Sequence, residues 1–125
     1  MIYGIGIDLC SIRRVQNIKD LNKFANKILT SGEIKHLDTL DQKNSVNYLA
    51  KQFAAKEALS KALGTGLTGD VKLNLIEIDR DQSGKPYIKM NDHMKTLLSK
   101  IGVNSTFVSL ADDSDFAVAT VILER

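Results

Sequence analysis

The sequence predicts an α+β fold: a single compact domain in which a mostly antiparallel sheet packs against one long central helix. Residues 2–10 alternate between large apolar side chains and small or polar ones, as a strand does. Two more apolar runs, 105–111 and 116–123, flank the acidic turn 112–115, which is typical of a hairpin. Helical periodicity over 43–63, with Gly64 as a stop, predicts the long helix. Because we find no linker, repeat or low-complexity segment, we expect one domain over residues 1–125.

The remaining elements are shorter. A helical stretch is expected over 12–21 and a second over about 24–29. Thr30 with Glu33 three residues later predicts a capping box at the start of a third helix. Strands are expected at 73–80 and 87–90 around the turn 81–84, followed by a helix near 94–101. Residues 117–123 are almost continuously apolar, which predicts a central strand buried on both faces.

Composition excludes several classes of protein. The chain has 125 residues, of which 43% are hydrophobic and 26% charged, as in ordinary globular domains. No stretch is apolar for long enough to span a bilayer, and the N-terminus lacks the features of a signal peptide, so we expect a cytoplasmic protein without membrane contact. The single cysteine, Cys10, excludes an intrachain disulfide and a thiolate zinc cage. A net charge of +2 is too small to indicate nucleic-acid binding.

The positive charge is concentrated in residues 11–35. This segment holds six basic residues against two acidic ones, a local net charge of +4. The basic residues are Arg13, Arg14, Lys19, Lys23, Lys27 and Lys35. Such a face can attract an anionic partner by electrostatic steering, or it can be an ordinary solvated helix face. The segment alone supports both interpretations equally.

Asp8 is the first candidate for chemistry. It lies on the same face of the first predicted strand as Gly4 and Gly6. Glycine in a strand often marks the close approach of a ligand or of another chain, and one interpretation is a ligand pocket lined by main chain and one carboxylate. Alternatively, Asp8 ends the strand and caps the following helix.

Glu57 is the second candidate, within the long helix. Alanines at 54, 55 and 58 allow another element to lie close to it, which would partly bury Glu57. Lys61 is one turn further along the same face. The two could form a common i,i+4 ion pair, worth only about 0.2–0.5 kcal/mol, or they could place a metal ligand beside a phosphate-binding cation. The small neighbours favour the second interpretation.

The Gly64–Gly66 segment follows that helix. Its backbone amides could hold a phosphate, although taken singly the segment is better explained as a glycine helix cap with a flexible exit. Two carboxylates from separate elements, with a cation and a glycine-rich loop nearby, fit Mg²⁺ held against substrate phosphates, because Mg²⁺ typically takes one or two protein carboxylates. The residues thus indicate a phosphate-handling site without naming a reaction.

Four segments, in this order along nearly the whole chain, resemble those of holo-[acyl-carrier-protein] synthases. They are GIGIDL at 4–9 with RRV at 13–15, FAAKEA at 53–58 with KALGTG at 61–66, GKP at 84–86, and VSL at 108–110 with AVA at 117–119. The resemblance implies a 4′-phosphopantetheinyl transferase-like fold. It also implies the transfer of 4′-phosphopantetheine from coenzyme A to a serine of apo-acyl carrier protein, with release of 3′,5′-ADP, in support of fatty acid synthesis.

The resemblance also assigns roles. Asp8 and Glu57 would bind the Mg²⁺ that grips the pyrophosphate of coenzyme A, while Lys61 would neutralise phosphate charge. Glu57 is the candidate for accepting the serine proton. The other residues expected near coenzyme A are Gly64, Thr65, Gly66 and Pro86. The family is trimeric with sites at subunit interfaces, and its carrier protein is acidic; the expected docking residues are Arg13, Arg14, Lys19 and Lys23, with Lys27 assisting.

Two positions depart from the family pattern. Ala111-Asp112 stands where the family commonly has Ser-His, and Gln52 stands where it often has Arg. These changes remove polar and cationic contacts expected near coenzyme A, so they bear on affinity more than on reaction type. They leave two rival interpretations open: a coenzyme A or nucleotide binder without catalysis, and a purely structural trimer module in which Asp8 and Glu57 are ion-paired parts of the fold.

Overall fold

The computed structural model describes residues 1–69 and 71–125 and contains both helices and strands. The elements in chain order are β1 (Ile2–Ser11), α1 (Ile12–Gln16), α2 (Leu21–Ile28), α3 (Ser31–Leu37), α4 (Gln42–Leu63), a 3₁₀ turn (Leu73–Leu75), β2 (Ile78–Arg80), β3 (Pro86–Ile88), α5 (Asp92–Ser99), β4 (Ser105–Asp112) and β5 (Phe116–Glu124). In the described part of the chain, no helix combines the length and the apolar character needed to cross a bilayer.

Two antiparallel sheets organise the molecule around α4. The larger sheet has the strand order β1-β5-β4, and the smaller one pairs β2 with β3. Helix α4 packs across β1 and β5, and β3 packs against β4. The α+β prediction, with a long helix against an antiparallel sheet, is therefore confirmed. Gly64 ends α4 in the left-handed conformation, at φ 79°, as the sequence predicts.

The contact between β1 and α4 depends on glycine. A Cβ atom added at Gly6 would lie 1.8 Å from the carbonyl oxygen of Ala58, and one added at Gly4 would lie 2.0 Å from that of Ala62. Only glycine allows the two main chains to approach so closely. The predicted ligand pocket over this bare strand face is wrong, because α4 itself fills the space.

Two element boundaries differ from the prediction. The expected helix over 12–21 ends at Gln16, and a new helix begins at Leu21. The side chain of Asp20 accepts a hydrogen bond from the Lys23 amide at 3.0 Å, so this aspartate starts α2 rather than continuing α1. The expected strand over 73–80 is a 3₁₀ turn followed by only three strand residues, which pair with the equally short β3.

Strand β5 is central, as predicted, but only one of its faces is buried in the single chain. Ala117, Ala119, Val121 and Leu123 point into the core, whereas the alternate residues are half-buried. The open face of the larger sheet carries apolar side chains that are more than half exposed: Ile5, Ile7, Leu9 and Phe107. The expected burial on both faces is therefore not achieved within one chain.

Candidate active site

Three of the predicted site residues meet where β1 crosses α4. Asp8 follows the glycine contact on the same strand face, and its carboxylate accepts a hydrogen bond from Lys61 Nζ at 3.1 Å. Lys61 also donates to the carbonyl oxygen of Ile7 at 3.0 Å. Among the described residues, Glu57 has no ion pair within 4.0 Å, so the common i,i+4 pair with Lys61 is not formed. The helix lysine instead reaches across to the strand.

The site formed by Asp8, Glu57 and Lys61 has more negative than positive side chains. Burial raises the pKa of Glu57, the nearby charge of Asp8 raises it further, and Lys61 offsets part of this rise. Two carboxylates and one ammonium give the site a net charge of −1 when all three are ionised. A structural ion pair would leave no such excess, so the arrangement favours a site that receives a cation.

The donor set suits a hard cation that shares its coordination with a substrate. Asp8 and Glu57 offer oxygen ligands, and in residues 1–69 and 71–125 no group of three or more His, Cys, Asp or Glu side chains is placed to enclose a metal. Mg²⁺ prefers oxygen, keeps several waters and needs only one or two carboxylates. Cys10 lies nearby, but it is buried and its thiol pKa is raised by that burial.

Two of the three loop amides that we considered for a phosphate are used within the protein. The Gly64 amide donates to the carbonyl oxygen of Lys61 at 3.1 Å, and the Gly66 amide donates to that of Ser60 at 3.3 Å. These bonds close the C-terminus of α4, as a glycine cap does. The negative end of the helix dipole is here, which disfavours an anion at these amides, whereas the ammonium group of Lys61 offers a positive charge. Roles for Gly64, Thr65 and Gly66 beside coenzyme A stay predictions.

Other predicted residues lie on other elements. Arg13, Arg14, Lys19 and Lys23 are exposed on and around α1 and α2, and none forms an ion pair with another described residue. Pro86 begins β3 in the smaller sheet, away from the crossing of β1 and α4. Its place beside coenzyme A stays a prediction.

Both departures from the family pattern line one cavity of about 450 Å³. Gln52 forms part of its wall and is itself buried, with its amide donating to the carbonyl oxygen of Ile78 at 3.1 Å. Asp112 lies on another side, 4.0 Å from Lys51 Nζ. Neither Asp8 nor Glu57 lines this cavity. The two substitutions therefore alter one surface and leave the candidate metal ligands untouched.

Sequence reasoning missed the most buried charge in the described chain. The Lys56 side chain is fully buried on α4, and its Nζ lies 2.5 Å from Glu33, for which only a capping role was predicted. The capping box itself is present, with Thr30 at the helix start. A lysine flanked by buried alanines in the apolar stripe of α4 is the signal that could have drawn attention to it.

The chain is similar in sequence and in fold to known proteins. The sequence profile of the 4′-phosphopantetheinyl transferase superfamily matches residues 4–121. A holo-[acyl-carrier-protein] synthase of Blochmanniella pennsylvanica is 42% identical over the whole of both chains, and one of Bacillus subtilis is 39% identical over 100% of this chain and 98% of its own. The crystal structure of the Neisseria meningitidis synthase covers both chains fully, with 39% identity and a TM-score of 0.92. A Bacillus anthracis synthase in complex with CoA (3′,5′-ADP) has 36% identity and a TM-score of 0.84, covering 98% of this chain and 96% of its own.

Proposed function

The chain belongs to the 4′-phosphopantetheinyl transferase superfamily, and from this premise we propose that it is a holo-[acyl-carrier-protein] synthase. It moves 4′-phosphopantetheine from coenzyme A to a serine of apo-acyl carrier protein, releases 3′,5′-ADP, and so activates the carrier for fatty acid synthesis. The observation that carries the proposal is the meeting of Asp8, Glu57 and Lys61 at the crossing of β1 and α4. The protein acts in the cytoplasm in this proposal.

The reaction needs positioning and charge stabilisation but no enzyme nucleophile. The serine oxygen forms a new bond to the β-phosphorus of coenzyme A as the bond to the leaving 3′,5′-ADP breaks. Lys61, half exposed beside Asp8, is placed to neutralise charge that builds on the phosphate oxygens. Glu57, at the same crossing, is our candidate for taking the serine proton.

Mg²⁺ is part of this proposal. Asp8 and Glu57 would hold it, and the bound ion would polarise the pyrophosphate of coenzyme A. The excess negative charge of the site supports this assignment, since a divalent cation would offset both the burial of the Glu57 carboxylate, which is the main cause of its raised pKa, and its repulsion from Asp8.

We also propose a homotrimer with active sites at its subunit interfaces. The open face of the larger sheet supports an interface, because Ile5, Ile7 and Leu9 are each at least 60% exposed. A trimer in solution would have a mass near three times 13.8 kDa by sedimentation, and Ile7→Glu should dissociate it. A wild-type mass equal to one chain would refute the trimer.

Carrier docking is assigned to the exposed cations of α1 and α2. Arginine suits this role because its planar fork matches carboxylates. Arg14→Glu should raise the KM for the acidic carrier protein by about tenfold, with the KM for coenzyme A unchanged. Equal effects on the two constants would place docking elsewhere.

The decisive experiment is a mass measurement on the carrier. The protein is incubated with coenzyme A, Mg²⁺ and apo-acyl carrier protein, and the carrier should gain one phosphopantetheine group. If coenzyme A binds but the carrier gains no mass, the chain is a binder and the proposal is wrong. If neither binding nor transfer occurs, and Asp8→Ala only destabilises the fold, then the structural module is the correct interpretation.

A further inference from the structure

Lys56 precedes Glu57 on α4, and its side chain points to a different part of the molecule. It is entirely buried, and its ammonium group has three hydrogens to donate. Three acceptors lie within hydrogen-bonding distance: the carbonyl oxygen of Ile28 at 2.6 Å, Glu33 Oε1 at 2.5 Å and the carbonyl oxygen of Leu73 at 3.0 Å. The acceptors come from the end of α2, from α3 and from the 3₁₀ turn.

The carboxylate of Glu33 is equally well satisfied. Its Oε1 also accepts from the Thr30 amide at 2.9 Å, and its Oε2 accepts from the Ile78 amide at 3.0 Å. The amide of Gln52 donates to Oε2 as well. The ion pair is therefore neutral overall, buried, and bonded on every side.

Such a pair defines geometry more than it adds stability. Replacing a buried ion pair by neutral side chains is often harmless to stability, because the gain from pairing only repays the loss of hydration. Its hydrogen bonds are directional, however, and here they attach three elements to one position on α4. The ring pair of Phe24 and Phe53, with centroids 5.7 Å apart, also joins α2 to α4.

We propose that Lys56 is a positioning residue for the transfer, because it holds the end of α2, and with it the carrier-docking cations, at a fixed position relative to Glu57. This inference rests on the proposed function, which assigns docking to the residues at and before the start of α2. Lys56 itself is buried and touches neither substrate, so it acts only through the elements that it ties together.

The expected change in the kinetic constants distinguishes accurate placement of the carrier serine from affinity for the carrier. The docking charges remain when Lys56 is replaced, so the carrier still binds. Its serine, however, is held less accurately against the reacting phosphorus, and a misplacement of about 1 Å can lower a rate by roughly 10²-fold. The loss should therefore appear in kcat and not in either KM.

The test uses the double variant Lys56→Met/Glu33→Gln, which removes both charges so that neither remains buried alone. With Mg²⁺, coenzyme A and apo-carrier, kcat should fall by about 10²-fold, while the two KM values stay within about threefold. Hydrogen exchange of the α2 amides, read by mass spectrometry, should become about tenfold faster than in the wild type. Lys89→Met/Glu77→Gln is the matched control: it makes the same two changes at a more exposed ion pair, in which Lys89 Nζ lies 3.3 Å from Glu77, and it keeps an acceptor for Thr30, so it should keep the wild-type kcat and exchange.

Each result decides the question. A double variant that melts at a lower temperature but keeps the wild-type kcat would show a purely structural role and overturn the inference. If the double variant does not fold, Lys56→Gln/Glu33→Gln, which also removes both charges but keeps polar side chains at both positions, is measured in the same way, with the same expected fall in kcat. If the wild type itself transfers nothing, the proposed function fails. The exchange measurement then still decides whether Lys56 restrains α2.

Discussion

Helix α4 carries two lysines that each meet a carboxylate, and the two pairs differ in almost every other respect. Lys56 is fully buried, and its partner Glu33 accepts further hydrogen bonds from three elements. The side chain of Lys61 is 52% exposed and that of its partner Asp8 is 15% exposed. A second carboxylate, that of Glu57, lies close to both. The first pair is neutral, and the second site has an excess negative charge.

The difference separates a structural pair from a binding site on a single helix. A closed, neutral network has no capacity left for a ligand, because every donor and acceptor is used. A half-open site with one carboxylate too many still has an electrostatic reason to bind a cation. Four variants test this distinction, in order of decreasing expected effect.

Glu57→Ala removes the excess carboxylate and should abolish function without loss of fold. We expect phosphopantetheine transfer to fall by at least about 10³-fold, since a metal ligand and the candidate base are lost together. The carrier mass assay measures the rate, and circular dichroism with sedimentation should show an unchanged fold and assembly. Unchanged turnover would remove Glu57 from the mechanism.

The same substitution at the two lysines should change the free energy of unfolding by very different amounts. Lys56→Met leaves Glu33 buried without its cation and should lower the free energy of unfolding by about 3–5 kcal/mol. Lys61→Met removes an exposed ion pair and should change it by less than about 1 kcal/mol. Urea denaturation of the two variants side by side measures the contrast. Equal losses would mean that the two pairs have the same role.

Lys61→Met should also change the affinity for Mg²⁺ and the rate of transfer, in opposite directions. Without this cation, Asp8 and Glu57 are less neutralised, so Mg²⁺ should bind up to about tenfold more tightly. Transfer should nevertheless slow by about 10²-fold, because the phosphates lose a stabilising charge. Calorimetry and single-turnover rates separate the two effects. Weaker Mg²⁺ binding would show that Lys61 supports the metal rather than opposing it.

The smallest expected effect is on stability. Glu57→Gln should modestly raise the free energy of unfolding of the metal-free protein at neutral pH. A carboxyl whose pKa is raised by folding contributes stability at low pH and loses it as the pH rises through the folded-state pKa. The pKa of Glu57 is raised above 4.5, so the wild type should lose stability relative to Glu57→Gln above that pH. After allowance for solvent screening, the gap at pH 7 should be about 0.5 kcal/mol. Thermal melts from pH 4 to 8 measure it, and a gap at pH 4 as large as at pH 7 would contradict it.

The sequence predicts the elements that repeat a clear period and misses those that depend on distant contacts. Strand β1 and helix α4 are confirmed because their apolar patterns are long. The break between Gln16 and Leu21 was missed because the apolar period continues across it, while one side-chain hydrogen bond from the Lys23 amide to Asp20 starts a new helix there. Asp8 and Glu57 were singled out from the small residues around them, which signal a close approach without naming the partner, and the family resemblance supplied their proposed role as metal ligands. The partner of Lys56 is 23 positions away in sequence, and no local pattern connects the two.

If Asp8 and Glu57 hold a metal ion as proposed, the glycine contact would influence which size of cation fits between them. Because the main chains of β1 and α4 touch at Gly4 and Gly6, rigid backbone determines how far apart the two ligand-bearing positions are. Oxygen ligands lie about 2.0–2.1 Å from Mg²⁺ and about 2.3–2.6 Å from Ca²⁺. An alanine at Gly6 would force the strand and the helix apart, and the widened gap would then suit the larger ion. Discrimination between two biological cations would thus depend on two missing methyl groups.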